Sequence, residues 1–296
     1  METRTFRFAP SPNGSLHLGH AYSALLNQRL ARQTGGRLLL RIEDIDLIRC
    51  TPEFEAGILH DLDWLEIEWE RPPRRQSEHF ADYEEALRKL IADGLVYAAF
   101  MSRGEVRAHI ADAEEGGRRW PRDPDGTPLY PGIERDMPAR RRKRLMESGA
   151  PFAWRLDMEK ALSRFPRTLE WQENGAGPKG QTGLLPADPA AWGDVILARR
   201  EVPTSYHLSV VVDDALQGVT DVVRGRDLFY ATSVHRLLQQ ILGLPVPRYF
   251  HHDLVLDRDG RKLSKSNGDT ALDELRQTGK TPDDIREMLG FGPRRI

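Results

Sequence analysis

Arg7-Phe8-Ala9-Pro10-Ser11-Pro12-Asn13-Gly14-Ser15-Leu16-His17-Leu18-Gly19-His20 is the stretch that decides how this chain folds. An extended run from Thr5 to Ala9 meets two prolines, reverses at Asn13-Gly14, and delivers His17-Leu18-Gly19-His20 to an amphipathic stretch beginning at Ala21. This order predicts strand, turn and helix start, with two imidazoles at the helix entrance. A helix N-terminus carries backbone N–H groups without intrahelical partners and the positive end of the dipole, so it suits polyphosphate. Histidines there add hydrogen bonds to phosphate oxygens, and Gly19 lets a ligand approach the backbone closely.

Next to this stretch, Ala21, Ala24, Leu25 and Ala31 line a helical face and Gly35-Gly36 offers a left-handed stop, so a helix is expected over residues 21–34. Leu38-Leu39-Leu40-Arg41-Ile42 reads as a buried strand of the kind parallel sheets produce, ending in Glu43-Asp44-Ile45-Asp46. Strand, helix and strand form a βαβ unit, and ligands of such sheets bind outside the carboxyl ends of the strands.

Thr51-Pro52-Glu53 opens a second helix through Phe54, Ile58, Leu59 and Leu62. Ser77 opens a third that stops at Gly94, and Leu95-Val96-Tyr97 is expected as a strand. From Ala98 to Pro151 glycine, proline and charge dominate, and Arg140-Arg141-Arg142-Lys143-Arg144 sets five cations in a row. Residues 98–151 therefore read as an insertion that splits a nucleotide-binding fold into 1–97 and 152–250. The cationic run faces RNA backbone in one reading and is a solvated helix face in the other.

Gly175-Ala176-Gly177-Pro178-Lys179-Gly180 has the spacing of a dinucleotide site, but no convincing strand precedes it and no helix opens on it, so a mobile loop is expected. Leu208-Ser209-Val210-Val211-Val212 reads as a buried strand ending at Asp213-Asp214. With Val222 to Asp227 and a helix through Leu237, Leu238 and Leu242, it would complete the parallel sheet. In residues 251–296, Asp259-Gly260 signals a hairpin. Lys262-Leu263-Ser264-Lys265-Ser266 follows, with two lysines able to reach one anion together, and Thr281-Pro282-Asp283-Asp284 starts a last helix.

The 296 residues carry 43 basic and 45 acidic side chains, a net charge of −2, so any RNA-binding surface must come from local clustering. No apolar run approaches the roughly 20 residues of a membrane span, and Met1-Glu2-Thr3-Arg4 leads straight into the first strand, so no signal peptide and a cytoplasmic location are expected. The single cysteine, Cys50, excludes an internal disulfide and a cysteine-rich zinc site, and reads as a small inert side chain.

His17-Leu18-Gly19-His20 resembles the HIGH signature of class I aminoacyl-tRNA synthetases, RFAPSPNG in front of it is similar to the glutamyl and glutaminyl branch, and Lys262 to Ser266 resembles the second signature, KMSKS. With RIEDID and SYHLSVVVDDALQGVTDVVRGRDL, the resemblance runs in order over nearly the whole chain. It implies an α/β, Rossmann-like catalytic domain with a parallel sheet, an inserted acceptor-type subdomain, and a short helical C-terminal part at 251–296. It implies activation of an amino acid by ATP as the adenylate, with release of pyrophosphate, and transfer of the acyl group to RNA. Mg²⁺ is expected with the ATP.

On the same resemblance, His17, His20, Lys262 and Lys265 are catalytic, and His17, Gly19, His20 and Lys265 hold ATP. Arg7, Ser11, Glu43, Tyr206 and Arg224 contact glutamate, with Arg7 and Arg224 for its carboxylates and Glu43 for its ammonium. These residue types fit, because a guanidinium fork holds a carboxylate best and the chemistry is chiefly positioning and electrostatic stabilisation.

With Ile296 soon after KLSKS, the sequence is expected to have no anticodon-binding region like that of the discriminating enzymes. In this it resembles the glutamyl-Q tRNA(Asp) synthetase family, which attaches glutamate to the queuosine base at the wobble position. The expected partners are glutamate, ATP and tRNA(Asp) carrying queuosine, with a monomeric chain and no membrane. Many members bind zinc through Cys-x-Cys and a later Tyr-x-x-x-Cys. Here Ala99, Met101 and Glu134 stand at the cysteine positions and only Tyr130 remains, so no protein-bound metal is expected. A truncated synthetase charging a tRNA 3′ end and a non-catalytic RNA-binding paralogue are the alternatives.

Overall fold

The structure is a computed structural model and describes residues 3–165, 168–256 and 271–292. β1 (Thr5–Phe8) is buried at all four positions and pairs in parallel with β2 (Arg37–Ile42), with α1 (Leu18–Gln33) as the crossover. α2 (Pro52–Trp64) starts where Thr51 accepts the Phe54 N–H and proline occupies the first turn, where its missing N–H costs nothing. β3 (Glu70–Arg75) then adds to β2 in parallel. This strand escapes a hydrophobic reading because its sequence is ERPPRR; prolines and charges are tolerated there because it lies at the edge of the sheet.

After a short 3₁₀ turn at Gln76–His79, α3 (Phe80–Ala92) leads to β4 (Val96–Ala99), which leaves the main sheet. α4 (Arg103–Glu115) and α5 (Ala139–Glu147) follow, then β5 (Ala153–Leu156), α6 (Met158–Arg164), and the antiparallel pair β6 (Glu170–Glu173) and β7 (Gly183–Pro186). β8 (Ile196–Arg199) closes a separate antiparallel sheet ordered β4-β5-β8. α7 (Tyr206–Leu216), β9 (Asp221–Gly225), α8 (Thr232–Leu242), β10 (Arg248–His252), α9 (Leu272–Gln277) and α10 (Pro282–Met288) complete the described elements.

The main sheet runs β3-β2-β1-β9-β10-β6-β7, parallel except for β7. From β1 the chain crosses to β2 on one side and much later to β9 on the other. Between β1 and β9 the loops at the carboxyl ends diverge, leaving the crevice in which sheets of this kind bind ligands.

Leu208 to Val212 is not a strand: it lies within α7, and the sheet is completed by β9, β10 and β6 instead. Every residue from Leu208 to Asp214 is buried, so the segment has no exposed face and no periodicity to separate helix from strand. Helical valine costs at most about 0.7 kcal/mol relative to alanine. Burying a valine side chain gains roughly 1.5–3 kcal/mol, so packing decides. Gly218, at φ 64°, follows the helix in the left-handed conformation that glycine adopts freely. Asp213 pins the helix by accepting from Arg74 Nε at 2.7 Å, Gln76 Nε2 at 2.8 Å and the Tyr83 hydroxyl at 2.9 Å.

The glycine-rich segment is the connection between β6 and β7. A strand does precede it, contrary to expectation, but it continues into a hairpin and no helix opens on it. Its glycines serve close packing: a Cβ on Gly175 would stand 2.3 Å from the His251 carbonyl oxygen, and one on Gly177 would stand 2.6 Å from the Phe229 ring.

Between β4 and β5 the packing is thin: Tyr97, Ala99 and Tyr130 form a small cluster, and α5, with its five cations, buries no residue. At its centre Glu134 is buried, accepting the N–H groups of Phe100 at 2.7 Å and Met101 at 3.0 Å and the Tyr130 hydroxyl. With both its oxygens so engaged and alanine and methionine at two further positions, the residues here do not fit zinc. Glu134→Ala leaves two partly buried N–H groups and one buried hydroxyl without an acceptor, a loss of about 2–4 kcal/mol. The expected result is a fall in Tm of roughly 5 °C that added zinc does not reverse; an unchanged Tm would contradict this account of the subdomain.

Candidate active site

At the carboxyl ends of β1, β2, β9 and β10 lies a cavity of about 810 Å³. Arg7, Ser11, His17, Gly19, His20, Glu43, Tyr206 and Arg224 all line it, so one site gathers residues from three distant parts of the sequence. Lys262 and Lys265, with the expected hairpin, lie outside the described residues. The segments flanking them reach the site: Leu254 and Val255 line the cavity, and past residue 270 the Leu272 N–H donates to Leu16 O at 2.8 Å while Ala271 bridges to His17.

His17 is the N-cap of α1 and His20 its third residue, arranged as a reciprocal capping box. His17 Nδ1 accepts the Gly19 N–H at 3.1 Å and His20 Nδ1 accepts the His17 N–H at 3.1 Å. An accepting Nδ1 carries no proton, so in the neutral ring the hydrogen sits on Nε2. The caps therefore fix the tautomer, and both rings present Nε2–H donors at the positive end of a helix. Gly19 has a further reason beside the expected one. A Cβ there would stand 2.9 Å from His17 Cε1, so the glycine makes room for the capping imidazole.

Arg7 projects from β1 and gives Nε to Asp214 Oδ1 at 3.1 Å, while its terminal nitrogens have no hydrogen-bond partner among the described residues. Asp214 also accepts Arg41 Nη2 at 2.7 Å, and Arg41 Nε lies 3.5 Å from Glu43 Oε1. Burial pushes the Glu43 carboxyl up while Arg41 and Arg7 oppose it; for Asp214, burial is outweighed by Arg7 and Arg41 and the pKa falls. The outcome is a fixed array of alternating charges in which Arg7, whose terminal nitrogens have no partner among the described residues, lines the cavity.

Tyr206 is the first residue of α7, not a strand end, and its hydroxyl accepts from Arg224 Nη1 at 3.3 Å. Arg224 lines the cavity from β9 and is held by four further protein acceptors. Ser11 lies beside Cys50, with Oγ and Sγ 3.5 Å apart. Burial raises the Cys50 thiol pKa, in keeping with an unreactive side chain.

Sequence reasoning missed the supports of these residues: Arg41 and Asp214 behind Arg7, and His207, His235, His251 and Glu173 behind Arg224. Their one visible signal is Asp213-Asp214 closing an apolar run, since two adjacent buried acids require cations nearby.

No described helix is long and apolar enough to cross a membrane. The family described as tRNA synthetases class I (E and Q), catalytic domain, matches residues 3–174 and 180–293. Among curated proteins, the glutamyl-Q tRNA(Asp) synthetase of Rhodobacter capsulatus is 47% identical over 96% of this chain and 99% of its own length. That of Nocardia farcinica is 37% identical over 97% and 85%. A glutamate tRNA ligase from Elizabethkingia meningosepticum, solved in complex with its amino acid, superposes with a TM-score of 0.77 at 26% identity, covering 97% of this chain and 60% of that one. With its sheet, its capped histidines and these relatives in agreement, the chain belongs to the class I tRNA synthetases of the glutamate and glutamine type and is a ligase of that class.

Proposed function

We propose that this enzyme activates L-glutamate with ATP as glutamyl-adenylate and transfers the glutamate to the queuosine base at the wobble position of tRNA(Asp). The observation that carries the first half is the Arg7 fork, unpaired among the described residues, in the same cavity as Glu43 and the histidine-capped start of α1. A carboxylate seats on a guanidinium fork and an ammonium pairs with a carboxylate, so the pair reads an acidic amino acid end to end. The Nε2–H donors of His17 and His20 then face ATP, with Lys262 and Lys265 as further cations and Mg²⁺ arriving with the polyphosphate. Here Ser11 and Tyr206 contact the amino acid and Gly19 lies against ATP. The segment 98–151 serves as the inserted subdomain, and the exposed cations of α5 lie against RNA backbone.

The RNA half rests on the relatives named for it, one of them matched over almost its whole length. The chain spans 57% of the glutamate–tRNA ligase of Prochlorococcus marinus, which is 34% identical. Labelled glutamate offered with tRNA(Asp) that carries or lacks queuosine separates the two destinations. Label acquired only by the queuosine-bearing RNA supports the proposal. Label acquired equally by both, and lost on removal of the 3′ terminal nucleotide, would replace it with charging of a tRNA end.

A further inference from the structure

The cations of α5 lie on different sides of the helix. At about 100° per residue, Arg140, Arg141 and Arg144 share one face, and Arg142 falls opposite them, between Leu145 and Met146. Burial follows the same division: Arg140, Arg141 and Arg144 are exposed, whereas Arg142, Leu145 and Met146 are half-buried. The side chains of the three exposed arginines make no hydrogen bond or ion pair among the described residues. Lys143 has Glu147 at 3.7 Å.

Arg142 is turned inward. Its Nη2 donates to the carbonyl oxygens of Glu134 at 2.8 Å and Arg135 at 2.9 Å, and its Nε is enclosed by protein. Both carbonyls belong to the turn that leads into α5, and that turn is fastened in its own right. Glu134 accepts the Phe100 and Met101 N–H groups beyond β4, and Arg135 grips Asp194 as a fork, Nε to Oδ2 at 2.6 Å and Nη2 to Oδ1 at 2.9 Å. Asp194, buried just before β8, also accepts the Tyr97 hydroxyl of β4 at 2.6 Å and the Met158 N–H of α6 at 3.0 Å. The small sheet that carries these partners shares a hydrophobic cluster with α7 and α8 through Leu156 and Leu197. A line of charge-assisted hydrogen bonds therefore runs from α5 to the catalytic body. Because α5 buries no residue, this line, more than core packing, fixes where the helix stands.

We propose that Arg142 and Arg135 are positioning residues for RNA: with Asp194 they hold α5 at a fixed angle to the catalytic body, so that Arg140, Arg141 and Arg144 present one cationic face to the sugar–phosphate backbone. This rests on reading the exposed cations of α5 as an RNA contact and goes beyond it. It removes Arg142 from the contact, gives Arg135 and the acid Asp194 a part in RNA binding, and names what orients the insertion where cysteine ligands are missing. Held in place, the three guanidinium groups meet phosphates together. A helix free to pivot loses them together, because every contact then has to order the helix as well.

The test reads affinity for an unmodified tRNA(Asp) transcript against salt concentration, beside pyrophosphate exchange without RNA as a check on the catalytic body. Each phosphate contact adds about 0.9 to the slope of log affinity on log salt. Arg140→Ala, Arg141→Ala and Arg144→Ala are each expected to lower that slope by about one. Arg142→Ala is expected to lower it by about two or more, since the freed helix loses several contacts at once. Asp194→Asn separates the readings by sign. Removing an acid strengthens RNA binding through bulk charge, whereas loosening the clamp weakens it, and the expected result is binding weaker by at least about threefold. RNA-free exchange should stay within about twofold of the parent in every variant, as befits sites that share no partner with the cavity. An Arg142→Ala slope no lower than that of Arg141→Ala, tighter binding by Asp194→Asn, or loss of RNA-free exchange in Arg142→Ala would overturn the clamp and leave α5 on RNA. An unaltered slope in all three variants of the exposed arginines would instead fault the reading of α5 as an RNA contact, and the clamp with it.

Discussion

Arg7→Ala is expected to raise the KM for glutamate by roughly two orders of magnitude and to leave the fold standing. The removed fork lines the cavity, and its terminal nitrogens have no hydrogen-bond partner among the described residues. Truncating one side of a buried, charge-assisted pair costs about 2–5 kcal/mol, and about 3 kcal/mol corresponds to a factor above one hundred. The fold survives because Asp214 keeps its 2.7 Å bond from Arg41, so no carboxylate is left without a cation. Arg7→Lys separates charge from shape: it retains the cation but loses the planar fork, and should recover only part of the affinity. Isothermal titration of glutamate onto each variant checks both statements, and an Arg7→Ala enzyme with unchanged affinity would show that the amino acid lies elsewhere.

The second large effect concerns the helix entrance. His17 and His20 both cap α1 and present Nε2–H groups, so alanine in their place would mix a folding defect with a chemical one. Asparagine is a strong N-cap and glutamine three residues on completes a capping box, so His17→Asn and His20→Gln keep the helix start and remove only the ring donors. Each is expected to lower kcat for adenylate formation by roughly 10²–10³, the effect of losing one donor aimed at developing charge. Tm should stay close to that of the parent. Circular dichroism melts beside pyrophosphate exchange distinguish the outcomes, and a fall in Tm that tracks the fall in rate would mean that the rings act only as caps.

What could be read from the residues was whatever has an exposed face or a local chemical signal. β1, α1 and β2 follow from an apolar run, two glycines and a proline-bounded turn, and α2 and α10 announce themselves by Thr-Pro starts. α7 could not be read correctly, because a segment buried on all sides loses the contrast on which periodicity depends. β3 was invisible for the opposite reason: an edge strand needs little apolar surface, and ERPPRR has almost none. Arg7, Glu43, Tyr206 and Arg224 were named through family resemblance, and folding brings them to one cavity. The residues that hold them were not legible. Arg41, Asp214, His235 and His251 act through contacts between segments up to 207 positions apart, and apart from the adjacent acids Asp213-Asp214 nothing local in the chain marks them.

On the proposed function, the crevice between β1 and β9 is complete for the chemistry of adenylation with glutamate before any RNA arrives. Pyrophosphate exchange with ATP and a single amino acid, in the absence of RNA, tests it most directly. The account predicts exchange with L-glutamate and far slower exchange with L-glutamine, whose neutral amide cannot satisfy the Arg7 fork. Exchange that begins only when tRNA is added, or that proceeds equally with both amino acids, would contradict it.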